Sequence, residues 1–369
     1  MKKEIKVLHI IPNLGQGGAE RQLVELISDN KSHQICQLLP INKYDFNTHL
    51  EKGSINTLNM KRKMPDIRAF YNLHNVINTF KPQIIHTWMY HSCLLESLLR
   101  KITNKKNILL VWGLRCSNME VKHYSIQLKL IIRACKYFSY KPNIIIHNSF
   151  SGKKFHDKLG FNNKGIVVPN GIDTKRFFPN EKYRANFRLR HKISKNTKIV
   201  LCAARKDPMK DHQTLINSFN NVRNKFSDVI LVLAGKETEK MPKVDNLIAL
   251  GAYRNMEEVY SAADIIICSS AFGEGFSNAL GEGMSSELIP ISTDVGDAKY
   301  IIGDTGVIVP PNHVEAMTRA ILETLNLSNN EFLSRKKDAR KKIKLNFSKN
   351  KMLSSYALIY FNLLNSIDK

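Results

Sequence analysis

The segment IIICSSAFGEGFSNALGE, residues 265–282, places an apolar run before a glycine-bearing loop and a helical pattern. We predict a buried strand, a short loop and a helix that begins near Asn278. Amide hydrogens at the start of a helix have no partner within the helix and carry positive potential, so such a turn can bind a phosphorylated ligand. The segment therefore predicts an α/β fold with a ligand at this turn.

The same segment carries two carboxylates, Glu274 and Glu282, with seven residues between them. Glu282 is predicted to lie within the helix, where it could accept hydrogen bonds from vicinal hydroxyls such as those of a ribose. Glu274 is predicted to precede the helix, where the rest of the ligand would emerge. The alternative is that Glu282 is a solvated helix residue and Glu274 a loop acid, since short motifs also occur by chance.

The length and charge of the chain limit its organisation and its partners. Its 369 residues exceed what one hydrophobic core usually serves, so two domains are expected. The 56 basic and 32 acidic residues give a net charge of +24. This excess favours an anionic partner, which could be nucleic acid, a phosphate-bearing substrate or an anionic membrane surface.

The cysteines and the apolar runs bear on the compartment. The six cysteines are scattered without CxxC spacing, and several lie in apolar runs, so a reducing compartment is expected. The first apolar stretch runs directly into Pro12 without a small-residue cleavage site, which indicates a strand rather than a signal peptide. No apolar run is long enough to span a bilayer. We expect a cytoplasmic protein that is soluble or peripheral on the inner leaflet of the cell membrane.

Short apolar runs alternate with helical patterns along the whole chain, which is typical of parallel sheets covered on both faces. Strands are predicted at 5–11, 34–39, 84–86, 108–112 and 144–147, and again at 198–203, 229–234, 247–250, 265–269, 289–292 and 307–309. The expected fold is α/β, with two Rossmann-like doubly wound domains that face a central cleft. The predicted domains are residues 1–165 and 166–347, followed by a C-terminal helix, 348–369, that packs back on the first domain.

A glycine-rich loop, GQGGAER, follows the first strand and begins at Gly15. Glycine allows close approach of the backbone to a ligand, and Gly17 and Gly18 are the candidates for that approach. The loop fits the dinucleotide-binding fingerprint only in part, because Glu20 stands at the third glycine position. The alternative is a generic turn between a strand and a helix.

A second loop, after the first strand of the second half, carries Arg205 and Lys210 around a proline turn. The planar fork of arginine and the point charge of lysine could converge on one phosphate group. A pair of cations is also common by chance in a chain this basic. Asp-x-Asp, HExxH, G-x-S-x-G and P-loop patterns do not occur in the sequence, which disfavours a metal clamp and the hydrolase and phosphotransferase classes.

Two further segments have open interpretations. His86 and His91 could form a wall of a ligand site, although packed or surface histidines are commoner. The segment from Lys122 to Lys141 mixes basic, aliphatic and aromatic residues. It suits a helix that lies on an anionic leaflet, or equally a core helix with a basic outer face.

Six motifs in order along the chain resemble the retaining GT-B glycosyltransferases of family 4 (group 1). They are GGAER at 17–21, VVPNGIDTKRFFP at 167–179, AARKDPMKDH at 203–212, EGFSNALGEGM at 274–284, TDVGD at 293–297 and TGVIVPP at 305–311. The resemblance spans nearly the whole chain, and the ordered co-occurrence is more specific than any single motif. It implies a hexosyl- or N-acetylhexosaminyltransferase with an acceptor-side N-terminal domain and a donor-binding C-terminal domain.

The resemblance also implies residue roles. Arg205 and Lys210 would bind the diphosphate, Glu282 the ribose, and Glu274 the donor sugar, with Glu274, Arg205 and Lys210 as the catalytic set. The implied donor-binding residues are Gly17, Gly18, Arg205, Lys210, Glu274, Gly275, Phe276, Ser277, Asn278 and Glu282. The implied acceptor-side residues are Glu20, His91 and Arg115. Many members have a histidine after the fourth strand, where this chain has VWGLRCS at 111–117, so the role of that histidine could pass to Arg115 or be dispensable.

The expected reaction moves a sugar, most simply from a UDP-sugar, to a saccharide or lipid-linked saccharide in surface polysaccharide or lipopolysaccharide biosynthesis. No metal ion and no cofactor are expected, and an anionic membrane surface is an expected partner. In the family, an acidic residue often follows the VGD segment, but this chain has Lys299 and Tyr300 there. The identity of the donor sugar nucleotide is therefore left open. The alternatives are a sugar-nucleotide 2-epimerase of the same architecture and, more remotely, a nucleic-acid-binding protein, for which no recognition motif is visible.

Overall fold

The structure is a computed structural model that describes residues 4–15, 17–28, 31–41, 55–60, 66–103, 107–117, 125–242 and 244–366. The chain divides into two compact units. The first consists of Met1–Pro169 together with Met352–Lys369, and the second of Asn170–Lys351. Each unit is an open parallel sheet with helices on both faces.

The first unit has a seven-stranded parallel sheet in the order β3-β2-β1-β4-β5-β6-β7. Its strands are β1 Val7–Ile11, β2 His33–Gln37, β3 Ile55–Thr57, β4 Ile84–Trp88, β5 Leu109–Leu114, β6 Ile144–His147 and β7 Gly165–Val167. Its helices are α1 Gly18–Ile27, α2 Ile67–Phe80, α3 Met89–Thr103, α4 Ile126–Phe138 and α5 Phe150–Leu159. The strand order reverses between β1 and β4, which is where ligands bind in such sheets.

The second unit repeats the pattern with a six-stranded sheet in the order β10-β9-β8-β11-β12-β13. Its strands are β8 Lys198–Ala203, β9 Val229–Ala234, β10 Leu247–Ala249, β11 Ile265–Cys268, β12 Ile289–Thr293 and β13 Val307–Val309. Its helices are α6 Glu181–Arg190, α7 His212–Arg223, α8 Met256–Ala262, α9 Asn278–Ser285, α10 Ala298–Ile302, α11 Val314–Leu325 and α12 Asn329–Asn346. Here the order reverses between β8 and β11.

Both sheets are covered by helices on their two faces, which explains why most of their strands are continuous apolar runs rather than alternating ones. In the second unit, α7 and α11 pack on one face, and α6, α8, α9, α10 and α12 on the other. In the first unit, α2, α3 and α4 cover one face, and α1 covers the other together with a last helix, α13 Lys349–Asn365. Tyr356 and Tyr360 of α13 lie in that core. The prediction of two Rossmann-like doubly wound domains is confirmed.

Within the described residues, no helix combines the length and apolar character that crossing a membrane would need.

Candidate functional site

The candidate site of the second unit lies where its strand order reverses. β8 and β11 are direct neighbours, with Val200 opposite Ile265 and Leu201 opposite Ile266. Because parallel strands end at the same edge of a sheet, the loops that follow β8 and β11 meet there. The first loop carries Arg205 and Lys210, and the second carries Glu274.

The two loops are joined by a buried ion pair. The Lys210 ammonium donates a hydrogen bond to Glu274 Oε1, and the two side chains are only 17% and 9% exposed. Ser270 Oγ donates to the same carboxylate oxygen at 2.5 Å. The backbone of Lys210 joins the loops as well, since its carbonyl accepts a hydrogen bond from Ser269 Oγ at 2.8 Å. The cation and the carboxylate are therefore held in fixed positions.

Each charge of this pair stabilises the ionised form of its partner. Burial alone would raise the pKa of Glu274, but the Lys210 charge and the hydrogen bonds from Lys210 and Ser270 outweigh it, so the pKa is lowered. Burial alone would lower the pKa of Lys210, but the Glu274 carboxylate outweighs it and the pKa is raised. Both groups are therefore ionised at neutral pH. The site offers a fixed cation beside a fixed anion.

Arg205 is paired with a neighbour on its own loop. Its Nε and Nη2 atoms donate to Asp207 Oδ2 at 3.1 and 2.7 Å. Asp207 Oδ1 accepts a hydrogen bond from the Met209 amide at 3.0 Å, which caps the 3₁₀ turn Pro208–Lys210. The Arg205 side chain is 55% exposed. Its charge acts on both Lys210 and Glu274, so the loop presents a second, more accessible cation near the pair.

Helix α9 begins at Asn278, as predicted, next to the Glu274 loop. Its N-cap is Ser277, whose side chain accepts a hydrogen bond from the Leu280 amide at 3.4 Å. The Asn278 side chain accepts a hydrogen bond from Asn170 at 2.7 Å. These contacts fix the first turn, where backbone amides point out of the helix.

Glycine allows the loop and helix to pack this closely. Gly296 has φ +65°, and a Cβ atom there would lie 2.5 Å from the Glu274 carbonyl oxygen. A Cβ atom on Gly283 of α9 would lie 2.8 Å from side-chain atoms of Ile266 in β11. The positions of Glu274 and of α9 therefore depend on Gly296 and Gly283.

Glu282 lies inside α9 and is buried. One of its oxygens, Oε2, accepts a hydrogen bond from Tyr260 Oη at 2.9 Å. Glu274 is also buried. Glu282 is therefore not a solvated helix residue, whereas Glu274 is a buried acid of the loop that precedes α9.

The candidates of the first unit lie near the reversal of its own sheet. Gly17 is the N-cap of α1, Gly18 is its first residue, and Glu20 is in its first turn. A Cβ atom on Gly17 would lie 2.2 Å from Glu20 Oε2, so the carboxylate folds back over the glycine. Gln16 of this loop lies outside the described residues.

The other two acceptor-side candidates, Arg115 and His91, lie in different environments. Arg115 follows β5, stacks 4.1 Å from the ring of Trp88 and donates to Tyr356 Oη at 2.5 Å. His91 is exposed in the first turn of α3. His86 is fully buried and shares a 2.8 Å hydrogen bond with the Tyr360 hydroxyl, so it is a packed histidine rather than the wall of a ligand site.

Two family models match most of the chain. The model described as Glycosyltransferase Family 4 matches residues 16–176, and the model described as Glycosyl transferases group 1 matches residues 197–327. The chain belongs to this glycosyltransferase family. The first match covers Gly17, Gly18 and Glu20, and the second covers Arg205, Lys210 and the segment from Glu274 to Glu282.

The curated relatives of this chain are distant from it in sequence. The GDP-mannose-dependent alpha-(1-6)-phosphatidylinositol monomannoside mannosyltransferase of Mycobacterium tuberculosis is 28% identical over 88 residues. That alignment spans 24% of this chain and 23% of the length of the mycobacterial enzyme.

Several solved structures share the fold over nearly all of the chain. Anabaena Alr3699/HepE in complex with UDP has a TM-score of 0.81 at 15% identity, covering 97% of this chain and 100% of that one. A glycosyltransferase from Rickettsia africae has a TM-score of 0.76 at 20% identity, covering 98% and 99%. At these identities the likeness establishes the GT-B fold alone, and the prediction of that fold is confirmed.

Three side chains that support the family motifs were not identified from the sequence. Asp207 holds Arg205, Ser270 holds Glu274, and Tyr260 holds Glu282. Asp207 could have been found, because an acid two residues from an arginine across a proline turn is a local pattern. Tyr260 and Ser270 gave no signal, since their roles depend on how separate elements pack.

Proposed function

We propose that this protein transfers a sugar from a UDP-sugar to a hydroxyl of a saccharide or lipid-linked saccharide, with retention at the anomeric carbon and without a metal ion. The observation that carries the proposal is the buried Lys210–Glu274 pair, held at the reversal of the sheet beside the start of α9. Family membership supports the class of reaction. Transfer of a hexose or of an N-acetylhexosamine is compatible with it.

The donor fits the site in three parts. The diphosphate binds Lys210 and Arg205, together with the backbone amides of Phe276–Asn278 at the start of α9. The ribose hydroxyls bind the Glu282 carboxylate. The donor sugar then lies at Glu274, which the ion pair keeps ionised. Arg205 is the more exposed cation, so the diphosphate engages it without opening the buried pair.

In the reaction, the bond between the anomeric carbon and the diphosphate oxygen breaks, and the electron pair leaves with the diphosphate. Lys210 and Arg205 stabilise the negative charge that develops on the leaving group. The acceptor hydroxyl attacks from the face that the diphosphate leaves, and its proton passes to the departing diphosphate oxygen. Two fixed cations supply the charge stabilisation that a divalent metal gives in other transferases, so the reaction proceeds in EDTA.

The proposal is tested by calorimetric titration with UDP and GDP and by turnover of a panel of sugar nucleotides with EDTA present. HepE forms a complex with UDP and the mycobacterial relative is GDP-mannose-dependent, so both bases are included. We expect the wild-type protein to bind UDP more tightly, and Lys210→Met to lose turnover. Lys206→Met is the matched control, because Lys206 is an exposed cation on the same loop.

Turnover by Lys210→Met at the wild-type rate would refute the assignment of the site. Activity that EDTA abolishes would refute metal independence. Incubation of UDP-N-acetylglucosamine without an acceptor separates the transferase from an epimerase, since only an epimerase would produce a new sugar nucleotide.

We also propose that the first unit binds the cytoplasmic leaflet through α4, which would bring the enzyme to a lipid-linked acceptor. Ile126, Leu130 and Tyr137 of α4 are 72%, 58% and 69% exposed. They are spaced by four and seven residues and share one helix face, with the exposed cations Lys129 and Arg133 near them. Apolar side chains between basic ones suit an anionic bilayer. Residues 122–124 of the predicted segment lie outside the described residues.

A flotation assay with vesicles of phosphatidylglycerol and phosphatidylcholine tests this surface. The wild-type protein is expected to float with anionic vesicles at low salt and to dissociate at high salt. Leu130→Ser is expected to weaken binding, whereas Leu189→Ser, at a leucine that is 82% exposed on α6 of the other unit, is expected to leave it unchanged. Salt-independent binding, or equal binding by both variants, would refute the α4 surface.

A further inference from the structure

Tyr260 and Glu282 form a buried contact between two helices of the second unit. Tyr260 lies near the end of α8 and is 1% exposed, and Glu282 lies in α9 and is 4% exposed. The phenol oxygen is 2.9 Å from Glu282 Oε2. The tyrosine hydroxyl donates this bond and the carboxylate oxygen accepts it.

The position of the tyrosine ring is fixed by its neighbours. Its centroid lies 5.6 Å from that of Phe177 in an edge-to-face arrangement, which is a favourable geometry for two aromatic rings. Tyr260 and Phe177 belong to the same core cluster as Leu280 and Met284 of α9. The core that orients the ring is therefore the core that holds the helix of Glu282.

A glutamate carboxylate rotates easily about its last torsion, because that torsion has a broad energy profile. Recognition of two vicinal hydroxyls requires a defined orientation of both carboxylate oxygens. A donor that fixes Oε2 also fixes the direction of Oε1. The carboxylate is then already ordered before the nucleotide binds, so binding does not lose the conformational entropy of this side chain.

We infer that Tyr260 is a positioning residue that orients Glu282 for the ribose of the nucleotide, and so sets the preference for ribose over 2′-deoxyribose. This inference rests on the proposed function, which places the ribose at Glu282. Tyr260 acts through Glu282 and does not touch the substrate.

The experiment compares UDP with 2′-deoxy-UDP, and GDP with 2′-deoxy-GDP, by calorimetric titration, and uses the base that the wild-type protein binds more tightly. The wild-type protein is expected to prefer the ribonucleotide by about 10- to 100-fold, since one hydroxyl bond to a charged group is lost in the deoxy form. Tyr260→Phe keeps the ring and removes the hydroxyl. It is expected to reduce the preference by about three- to tenfold, mainly by weakening the ribonucleotide.

Tyr253→Phe is the matched control, because its hydroxyl binds Arg190 and Glu258 away from Glu282. It is expected to keep the wild-type preference. If Tyr260 had only a structural role, its loss would weaken the binding of the ribonucleotide and of the deoxyribonucleotide equally. The ratio of the two dissociation constants therefore distinguishes a positioning role from a structural one. Phe177→Leu loosens the ring without removing its hydroxyl, and is expected to reduce the preference partway.

A wild-type preference in both Tyr260→Phe and Phe177→Leu, with the preference lost in Glu282→Ala, would overturn the role of Tyr260 and leave the proposed function intact. A wild-type preference in Glu282→Ala would instead refute the placement of the ribose. Should Tyr260→Phe fail to fold, the Phe177→Leu result decides.

Discussion

Replacing Lys210 with methionine removes a buried cation and leaves a buried anion. Methionine retains much of the length and apolar volume of the lysine stem. The Glu274 carboxylate keeps the hydroxyl of Ser270 but loses the ammonium that outweighs the effect of burial on its pKa. Removing one partner of a buried pair costs about 3–5 kcal/mol, because an uncompensated charge remains in a medium of low polarity.

This loss is large enough to measure by thermal melting. For a unit of this size, each kcal/mol lowers Tm by about 2–4 °C. Lys210→Met is therefore expected to melt about 6–20 °C below the wild-type protein at about pH 8. The control, Lys206→Met, removes an exposed charge and is expected to change Tm little.

The effect has a defined dependence on pH. In the wild-type protein the lowered pKa of Glu274 gives stability that is present above its ordinary value of 4.5 and is lost as the pH falls through the lowered value. The raised pKa of Lys210 gives stability that is present below 10.5 and is lost as the pH rises through the raised value. In Lys210→Met, burial still raises the pKa of Glu274, and only the Ser270 bond and the charge of the more exposed Arg205 remain to lower it. Its pKa then rises, so the deficit grows with pH and shrinks near pH 4.5.

The double variant Lys210→Met/Glu274→Gln separates charge from packing. It removes both charges, so it is expected to recover most of the lost stability while remaining inactive. Melting curves are measured at about pH 5 and pH 8 for the wild-type protein, for Lys210→Met and for the double variant. A wild-type Tm for Lys210→Met at pH 8, or a double variant no more stable than the single one, would refute the reasoning.

Three further predictions concern the same fold. Asp207→Asn keeps an oxygen for the capping bond but removes an anion beside the diphosphate site. UDP is therefore expected to bind about two- to fivefold more tightly at low salt. Weaker UDP binding in titration would contradict this and would show that the Asp207 carboxylate is needed to hold Arg205 in place. Gly283→Ala places a Cβ atom 2.8 Å from Ile266 and is expected to cost about 1–3 kcal/mol in urea denaturation, and an unchanged midpoint would contradict this. His33 and His156 are buried with pKa values of about 4, against 6.5 when unfolded. The free energy of unfolding should therefore fall as the pH drops from about 6.5 to 5, and a constant value would contradict their burial as neutral groups.

Strands and helices with strong apolar patterns could be predicted closely from the sequence. β6, β8, β9 and β13 have the predicted bounds, because each is a continuous run of mostly branched apolar residues between turn residues. Helix α12, Asn329–Asn346, was not predicted, because only three of its residues are buried and its apolar periodicity is therefore weak. The short edge strands β3 and β7 were missed, because β3 has one apolar residue among its three and β7 begins with a glycine.

The elements of the site were predictable, and the contacts within it only in part. The alternation of strands and helices places the loops of Arg205 and Glu274 at one edge of a sheet, so their proximity follows from topology. The hydrogen-bond partners of these side chains do not follow from the topology. Arg205 binds Asp207 and Lys210 binds Glu274, and neither of these ion pairs was predicted from the sequence. Tyr260 reaches Glu282 through helix packing that periodicity cannot specify.

A crystal structure of the protein with UDP bound tests the central claim most directly. The diphosphate is expected within hydrogen-bonding distance of Lys210 and Arg205 at the start of α9, with the ribose hydroxyls on Glu282. Clear density for the nucleotide at any other place, or both cations directed away from it, would contradict the account.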